Sequence, residues 1–201
     1  LSNELLANIY LLKGYLDKAN VLYLKLIKKN RNVHLLSNIS LVYLLLGNTE
    51  QAEIYAKEAF ELSPLNTVFI LNYADALLIN KKNKIAFELY NKILKLDESN
   101  NDLWAFLRVA QANVHLGHYE NAVKFIHQAQ RKAPDNGDVA HIAALVFAQA
   151  GEYLSAYTYF EQAMQAQISI HWFNLPWFKP LCNYPSFVEK TGSALKLSIC
   201  Q

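Results

Sequence analysis

Residues 110–134 read AQANVHLGHYENAVKFIHQAQRKAP, and the spacing inside that stretch decides the fold. Ala110, Gly117, Tyr119, Ala122, Ala129 and Pro134 stand there at positions that recur along the chain. Alanine returns at Ala19, Ala52, Ala86, Ala122 and Ala156, in steps of 33, 34, 36 and 34. Five residues before these stand Gly14, Gly47, Lys81, Gly117 and Gly151. Twelve residues before them stand Ala7, Ser40, Ala74, Ala110 and Ala144, all small. Pro64 and Pro134 follow Ala52 and Ala122 by twelve residues. Columns that keep one phase through five segments mark a repeat architecture, in which each segment buries its apolar face against its neighbours.

Each repeat reads as two helices. In the second, Leu36, Ile39, Ser40 and Tyr43 fall at i, i+3, i+4 and i+7, a single helical stripe. Gly47 supplies a left-handed residue to end that helix, and a second helix over about 50–62 stops before Pro64. Ser40 and Ala52 are small because two backbones must approach closely there. Only six Gly and five Pro punctuate 201 residues, too few for a chain of many short strands. An apolar share of 53% against a charged share of 18% gives ample material for a core and excludes disorder.

The columns resemble the tetratricopeptide repeat (TPR), a ~34-residue helix–turn–helix unit with small, Gly, aromatic, Ala and Pro signature positions. The fourth repeat carries Gly117, Tyr119, Ala122, Ala129 and Pro134; the fifth carries Ala144, Gly151, Tyr153, Ala156, Phe160 and Ala163. Lys81 departs from the pattern in the third turn, which is then looser or closes through Asn80, and residues 100–102 hold a two-residue insertion. The resemblance implies an all-α fold, an α-α superhelix (solenoid) of five repeats at about 1–32, 33–66, 67–102, 103–136 and 137–167. A segment over 168–201 follows them, rich in aromatics (Trp172, Phe173, Trp177, Phe178, Tyr184 and Phe187) and prolines (Pro176, Pro180 and Pro185), with a short helix expected over about 185–197. A terminal repeat needs its apolar face covered, so this segment is either a cap or a tail that docks a partner. Residues 175–187 also resemble the Pro-x-Phe endings of multidomain bacterial regulators that carry such arrays.

The resemblance further implies that the first helix of each pair lines a concave groove. The positions left for it are His34, Ser37, Asn38, Leu41 and Leu45, then Val68, Leu71, Asn72, Asp75 and Ile79. The fourth repeat offers Trp104, Leu107, Arg108, Gln111 and His115, and the fifth Asp138, His141, Ile142, Leu145 and Gln149. This mixture of apolar and amide groups suits a peptide or a partner protein better than a polyanion. Asn38 and Asn72 are equivalent residues, and an amide both donates to and accepts from a peptide backbone. The alternative is that both are simply solvated. The carboxylate clamp of the co-chaperone members is not matched, since Glu4 and Val68, or Ser37, Leu41 and Trp104, stand where its pattern needs other residues.

Other classes find little support. The net charge of +2 (19 Lys+Arg, 17 Asp+Glu) offers no footprint for nucleic acid or anionic lipid. His115 and His118 flank Gly117 where a helix ends, while His127 and His141 lie in other helices, so no metal spacing arises. No phosphate loop, nucleophile elbow or zincin helix occurs, and neither catalysis nor a cofactor is expected. The uncharged residues 32–49 carry Ser37, Asn38 and Ser40 at their middle and read as a buried helix rather than a membrane span. Cys182 and Cys200 cannot build a disulfide framework and lack metal spacing.

The function expected is a non-catalytic protein–protein interaction scaffold that binds through the groove, with the regulatory or sensory region of a larger bacterial regulator as the alternative. Because the chain starts at Leu1 and its sole Met is Met164, it is expected to be a piece of a longer protein or a processed one. Self-association through the N-terminal repeat face is a further option. The location expected is cytoplasmic, or periplasmic if an upstream signal or anchor was removed.

Overall fold

The computed structural model describes residues 2–192 and 198–200. They form an all-α fold of the α-α superhelix class, with no strand among the described residues. The helices are α1 (Asn3–Leu12), α2 (Leu16–Lys29), α3 (Val33–Leu45), α4 (Thr49–Leu62), α5 (Thr67–Ile79), α6 (Asn83–Asp97), α7 (Leu103–His115), α8 (Tyr119–Lys132), α9 (Gly137–Gln149) and α10 (Tyr153–Gln165). Two 3-10 segments follow, Ile170–Asn174 and Pro176–Asn183, then α11 (Pro185–Lys190). Of the C-terminal helix expected over about 185–197, α11 covers Pro185–Lys190, and residues 193–197 lie outside the described part. The chain divides into two compact units, Leu1–Lys92 and Ile93–Gln201, with the boundary inside α6.

In the N-terminal unit, α1 packs on α2, α2 on α3, α3 on α4 and α5, and α4 on α5. In the C-terminal unit, α7 packs on α8 and α9, α8 on α9, and α9 on α10. Both small-residue columns are buried throughout: Ala7, Ser40, Ala74, Ala110 and Ala144 in the first helices, Ala19, Ala52, Ala86, Ala122 and Ala156 in the second. A larger side chain at any of them would push apart backbones that are close-packed.

The turns are built the same way each time. Gly47 adopts φ 77°, and the Asn48 N–H donates to the Tyr43 carbonyl at 2.9 Å, closing the helix end. Lys81 takes the same left-handed conformation at φ 61°, and Lys82 N–H reaches Leu77 O at 2.8 Å. The third turn is thus neither looser nor rebuilt through Asn80; it keeps the shape and carries the strain of a side chain there. Asparagine is common partly because it caps helices. Asn32 accepts from Leu35 N, Asn66 from Val68 N and Asn136 from Asp138 N, satisfying donors that a helix start leaves bare.

The described part of the C-terminal segment packs on the last helix pair. Pro176–Asn183 packs on both α9 and α10, and α11 packs on Pro176–Asn183. Phe173, Phe178, Leu181 and Phe187 are fully buried. Phe160 of α10 meets Phe173 at 4.8 Å and Phe187 at 5.0 Å, both edge-to-face, the arrangement ring quadrupoles favour. Gly137 marks where this end closes tightest, since a Cβ there would lie 2.9 Å from the Ala166 Cβ and 3.0 Å from Ile168. Two cysteines are too few for a framework, but they make one bond: Cys182 is disulfide-linked to Cys200, 18 residues on. The neighbouring Ile199 N–H donates to Asn174 Oδ1 at 3.0 Å.

Candidate functional site

The first helices carry the expected groove positions, and the two units present them differently. In the N-terminal unit His34 is exposed and rests edge-on against Phe69, while Leu41, Leu45 and Ile79 are half-buried. The asparagine pair is placed on α3 and α5, where each amide also ties its helix to the first helix of the preceding repeat. Asn38 Nδ2 donates to Asn8 Oδ1 at 3.1 Å, and Asn72 Nδ2 donates to Ser37 Oγ at 2.8 Å. These bonds do not exhaust an amide, which has two donor hydrogens and two acceptor lone pairs.

Asp75, also expected in the groove, is buried and accepts a 2.7 Å bond from the Tyr90 hydroxyl. Burial, reinforced by the Asp75 charge and hydrogen bond, raises the Tyr90 phenol well above the ordinary tyrosine value. The first repeat holds the same device, with Tyr23 Oη donating to Asn8 Oδ1 at 2.5 Å and the phenol again pushed up, chiefly by burial. Sequence reasoning missed these pairs, yet a signal exists. A tyrosine four residues after the repeat alanine (Tyr23, Tyr90) occurs in the two repeats whose first helix has Asn or Asp fifteen residues earlier. Repeats with Leu41, Gln111 or Leu145 at that place have Ala56, Ile126 or Phe160 opposite. A buried hydroxyl needs a polar partner, so the two positions change together.

In the C-terminal unit Trp104 remains half-exposed, but the rest of the expected set is engaged. Arg108 Nε bonds Asp97 Oδ2 at 2.6 Å with both side chains largely enclosed, and Gln111 is buried. His115 and His141 lie under the chain's own C-terminal segment, and Leu145 is buried. Trp177 meets the His115 ring edge-on at 5.1 Å; His141 is ringed by Trp172, Phe173 and Phe178 at 6.3, 5.0 and 5.2 Å. Gln149 Nε2 donates to the Trp177 carbonyl. The Nε2 atoms of both histidines are closed off from solvent. Burial lowers His115 to about 3, and lowers His141 to about 4 against a backbone hydrogen bond at Trp172 that pulls the other way. Both rings are therefore neutral near pH 7.

Among the described residues no three His, Cys, Asp or Glu side chains gather to hold a metal ion, and no helix is long and apolar enough to cross a membrane. What the first-helix faces offer is contact chemistry: apolar ridges, amides and aromatic edges.

Comparison with known proteins agrees with this architecture. A family model described as a tetratricopeptide repeat matches residues 33–64, which is the second repeat. The chain is 27% identical over 134 residues to anaphase-promoting complex subunit 3 of Schizosaccharomyces pombe, covering 66% of this chain and 20% of that protein. It is 28% identical over 162 residues to the TPR repeat-containing protein MJ1428 of Methanocaldococcus jannaschii, covering 79% of this chain and 28% of that one. The chain thus spans less than a third of the length of either curated relative. Among solved structures, the thermophilic TPR protein TTC0263 of Thermus thermophilus superposes with a TM-score of 0.63 at 15% identity, over 81% of this chain and 89% of that one. Pseudomonas aeruginosa pilF superposes at 0.53 with 14% identity, over 97% and 93%. At these identities the structural likeness speaks for the fold alone.

Proposed function

Because the chain is a tetratricopeptide-repeat protein, we propose that it is a non-catalytic scaffold whose binding face is the first-helix side of the N-terminal unit. A fold of this class is a protein-interaction scaffold in general; which face is used has to be argued from the residues. The observation that carries the reading is the contrast in cover. In α1 and α3, Leu5, Leu12 and His34 are exposed and Asn38, Leu41 and Leu45 half-exposed, whereas His115 and His141 lie under residues 172–178 and Leu145 is buried. Open apolar groups beside amides can hold the side chains and the backbone of a bound segment together.

Affinity capture with the full chain tests this. Leu41→Lys and the Asn38→Ala/Asn72→Ala pair should lose the partner that the wild type retains, while Glu50→Lys on α4 should keep it, with circular dichroism confirming that each variant is folded. Retention of the same partner by the face variants would refute the assignment. The Cys182–Cys200 bond also favours an oxidising compartment, the periplasmic rather than the cytoplasmic expectation. Thiol titration of denatured protein, taken from its native source without reductant, should find no free thiol; two would reverse that placement.

A further inference from the structure

In the second and third repeats, the side chain six residues after the repeat alanine fastens the connection that leads into that repeat. Glu58 holds Arg31 through both carboxylate oxygens, and Lys92 Nζ donates to the Pro64 carbonyl at 2.7 Å. The fourth repeat has Gln128 at this position and a longer connection. Residues 98–102 join α6 to α7, five residues where 30–32, 63–66 and 133–136 supply three or four. The lengthening read in the sequence at 100–102 falls here. Among the described residues no bond fastens this connection to Gln128, and a cleft of about 410 Å³ lies between them. Asn100, Asn101, Phe106, Gln128, Arg131 and Lys132 line it, with Glu98 and Ser99 at the start of the connection, all inside the C-terminal unit.

The lining is a set of donors over an apolar floor. Phe106 is buried, and the Lys132 ammonium sits 5.7 Å from the centre of its ring. The amides of Asn100, Asn101 and Gln128, the Ser99 hydroxyl and the Arg131 guanidinium all carry N–H or O–H groups. Two cations face one acid, Glu98, and among the described residues neither Arg131 nor Lys132 is paired with a carboxylate. A helix C-terminus favours cations in any case. The other repeats show that the position does not demand them, since Glu61–Leu62, Lys95–Leu96 and Gln165–Ala166 stand there. The other dibasic pair, Lys28–Lys29 in the first repeat, also borders a cleft, of about 270 Å³ and walled by Leu22 and Leu26. Paired cations thus coincide with an open register and are missing in the second and third repeats, where Arg31 and Pro64 are fastened across it. We infer that the cleft between residues 98–101 and α8 is a binding site for a small organic oxyanion, a phosphate ester or a carboxylate. Arg131 can fork onto two oxygens, Lys132 supplies a point charge and the three amides donate to the remaining oxygens. The volume lies within the range of small-ligand sites, about 300–1,000 Å³. Its polar groups come from α8 and the α6–α7 connection, so the site stands or falls independently of the first-helix face proposed above.

Side-chain amide resonances of the isotope-labelled full chain report on the cleft directly. Glycerol 3-phosphate and malate are the two probes, with neutral glycerol as the control. At least one anion should shift the Asn100, Asn101 and Gln128 amide signals saturably, and glycerol should not. The anion that saturates at the lower concentration identifies the source as a phosphate ester or a carboxylate. Arg131→Gln and, separately, Lys132→Gln should weaken that binding at least fivefold. The double variant Lys84→Gln/Lys124→Gln removes two exposed cations from other second-helix positions and should leave it unchanged. No saturable shift with either anion, or an equal loss in the Lys84→Gln/Lys124→Gln variant, would overturn the site.

Discussion

The first helices α3 and α9 share length and register, and yet one presents its face while the other hides it. Both are 13 residues long, both are capped at the start by an asparagine (Asn32, Asn136), and both carry a small residue at the helix crossing (Ser40, Ala144). The difference comes from outside the helix. Four fully buried apolar side chains from residues 173–187 close the end of the repeats, and Trp177 extends that cover to His115. At roughly 1.5–3 kcal/mol for each buried large side chain, the apolar contacts outweigh the ~2–4 kcal/mol that one disulfide supplies. Exposure of a first-helix face in such a chain is therefore set by where the last segment folds back, not by the repeat motif.

The largest effect on this contrast should come from Phe173→Ala. Phe173 is fully buried and packs against Phe160 and Phe178, so the change should cost about 3–5 kcal/mol in chemical denaturation. The matching change Leu12→Ala on the open face should cost less than about 0.5 kcal/mol. A small loss for Phe173→Ala would mean that the cap is loosely held and the two faces alike.

Acidification should come next. The folded values of His115 and His141 lie below that of a free imidazole, so the unfolded chain takes up protons first. Stability is then full above about pH 6.5 and falls through about 4 for His141 and about 3 for His115. After allowing for the part of each residue that solvent still reaches, the loss should be on the order of 3 kcal/mol. A His115→Gln/His141→Gln variant should show a flatter pH–stability profile, and an unchanged one would remove the rings from the account.

Cys200→Ser should lower stability by about 2–3 kcal/mol, and a thiol reductant added to the wild type should match it in a thermal melt. The smallest effect concerns the N-terminal unit alone. Lys81→Gly should stabilise by about 1 kcal/mol and raise the Tm by roughly 2–4 °C, because the residue already sits at φ 61°. A destabilised Lys81→Gly would show that the lysine side chain holds the turn by contacts rather than merely tolerating it.

The features legible in the sequence are those fixed by local steric need. The Ala columns follow from backbone approach and the Gly column from left-handed helix ends, and both fall where the period places them, even at Lys81 where the glycine is missing. The faces were legible only as lists of positions. Whether His141 meets solvent depends on Phe173 and Phe178, some thirty residues on, and no periodicity encodes that return. Asp75 and Arg108 show the same limit: a charged residue at a groove register also serves the chain's own packing, as Asp75 does with Tyr90 and Arg108 with Asp97. The tyrosine–polar pairs lie between these extremes, since their coincidence is visible once repeats are aligned and buried hydroxyls are required to be paired.

Those pairs give the N-terminal unit an optical property. Tyr23 and Tyr90 are fully buried, and both phenols are pushed above the ordinary value, chiefly by loss of water. Their favourable neutral state is kept at and below the free phenol's range and is lost as alkali drives the folded form toward ionisation. Phenolate absorbance from these two rings should therefore rise together with, and not before, the loss of helical signal. Of the chain's twelve tyrosines, these two should supply the part of an alkaline ultraviolet titration that coincides with the opening of the first and third repeats.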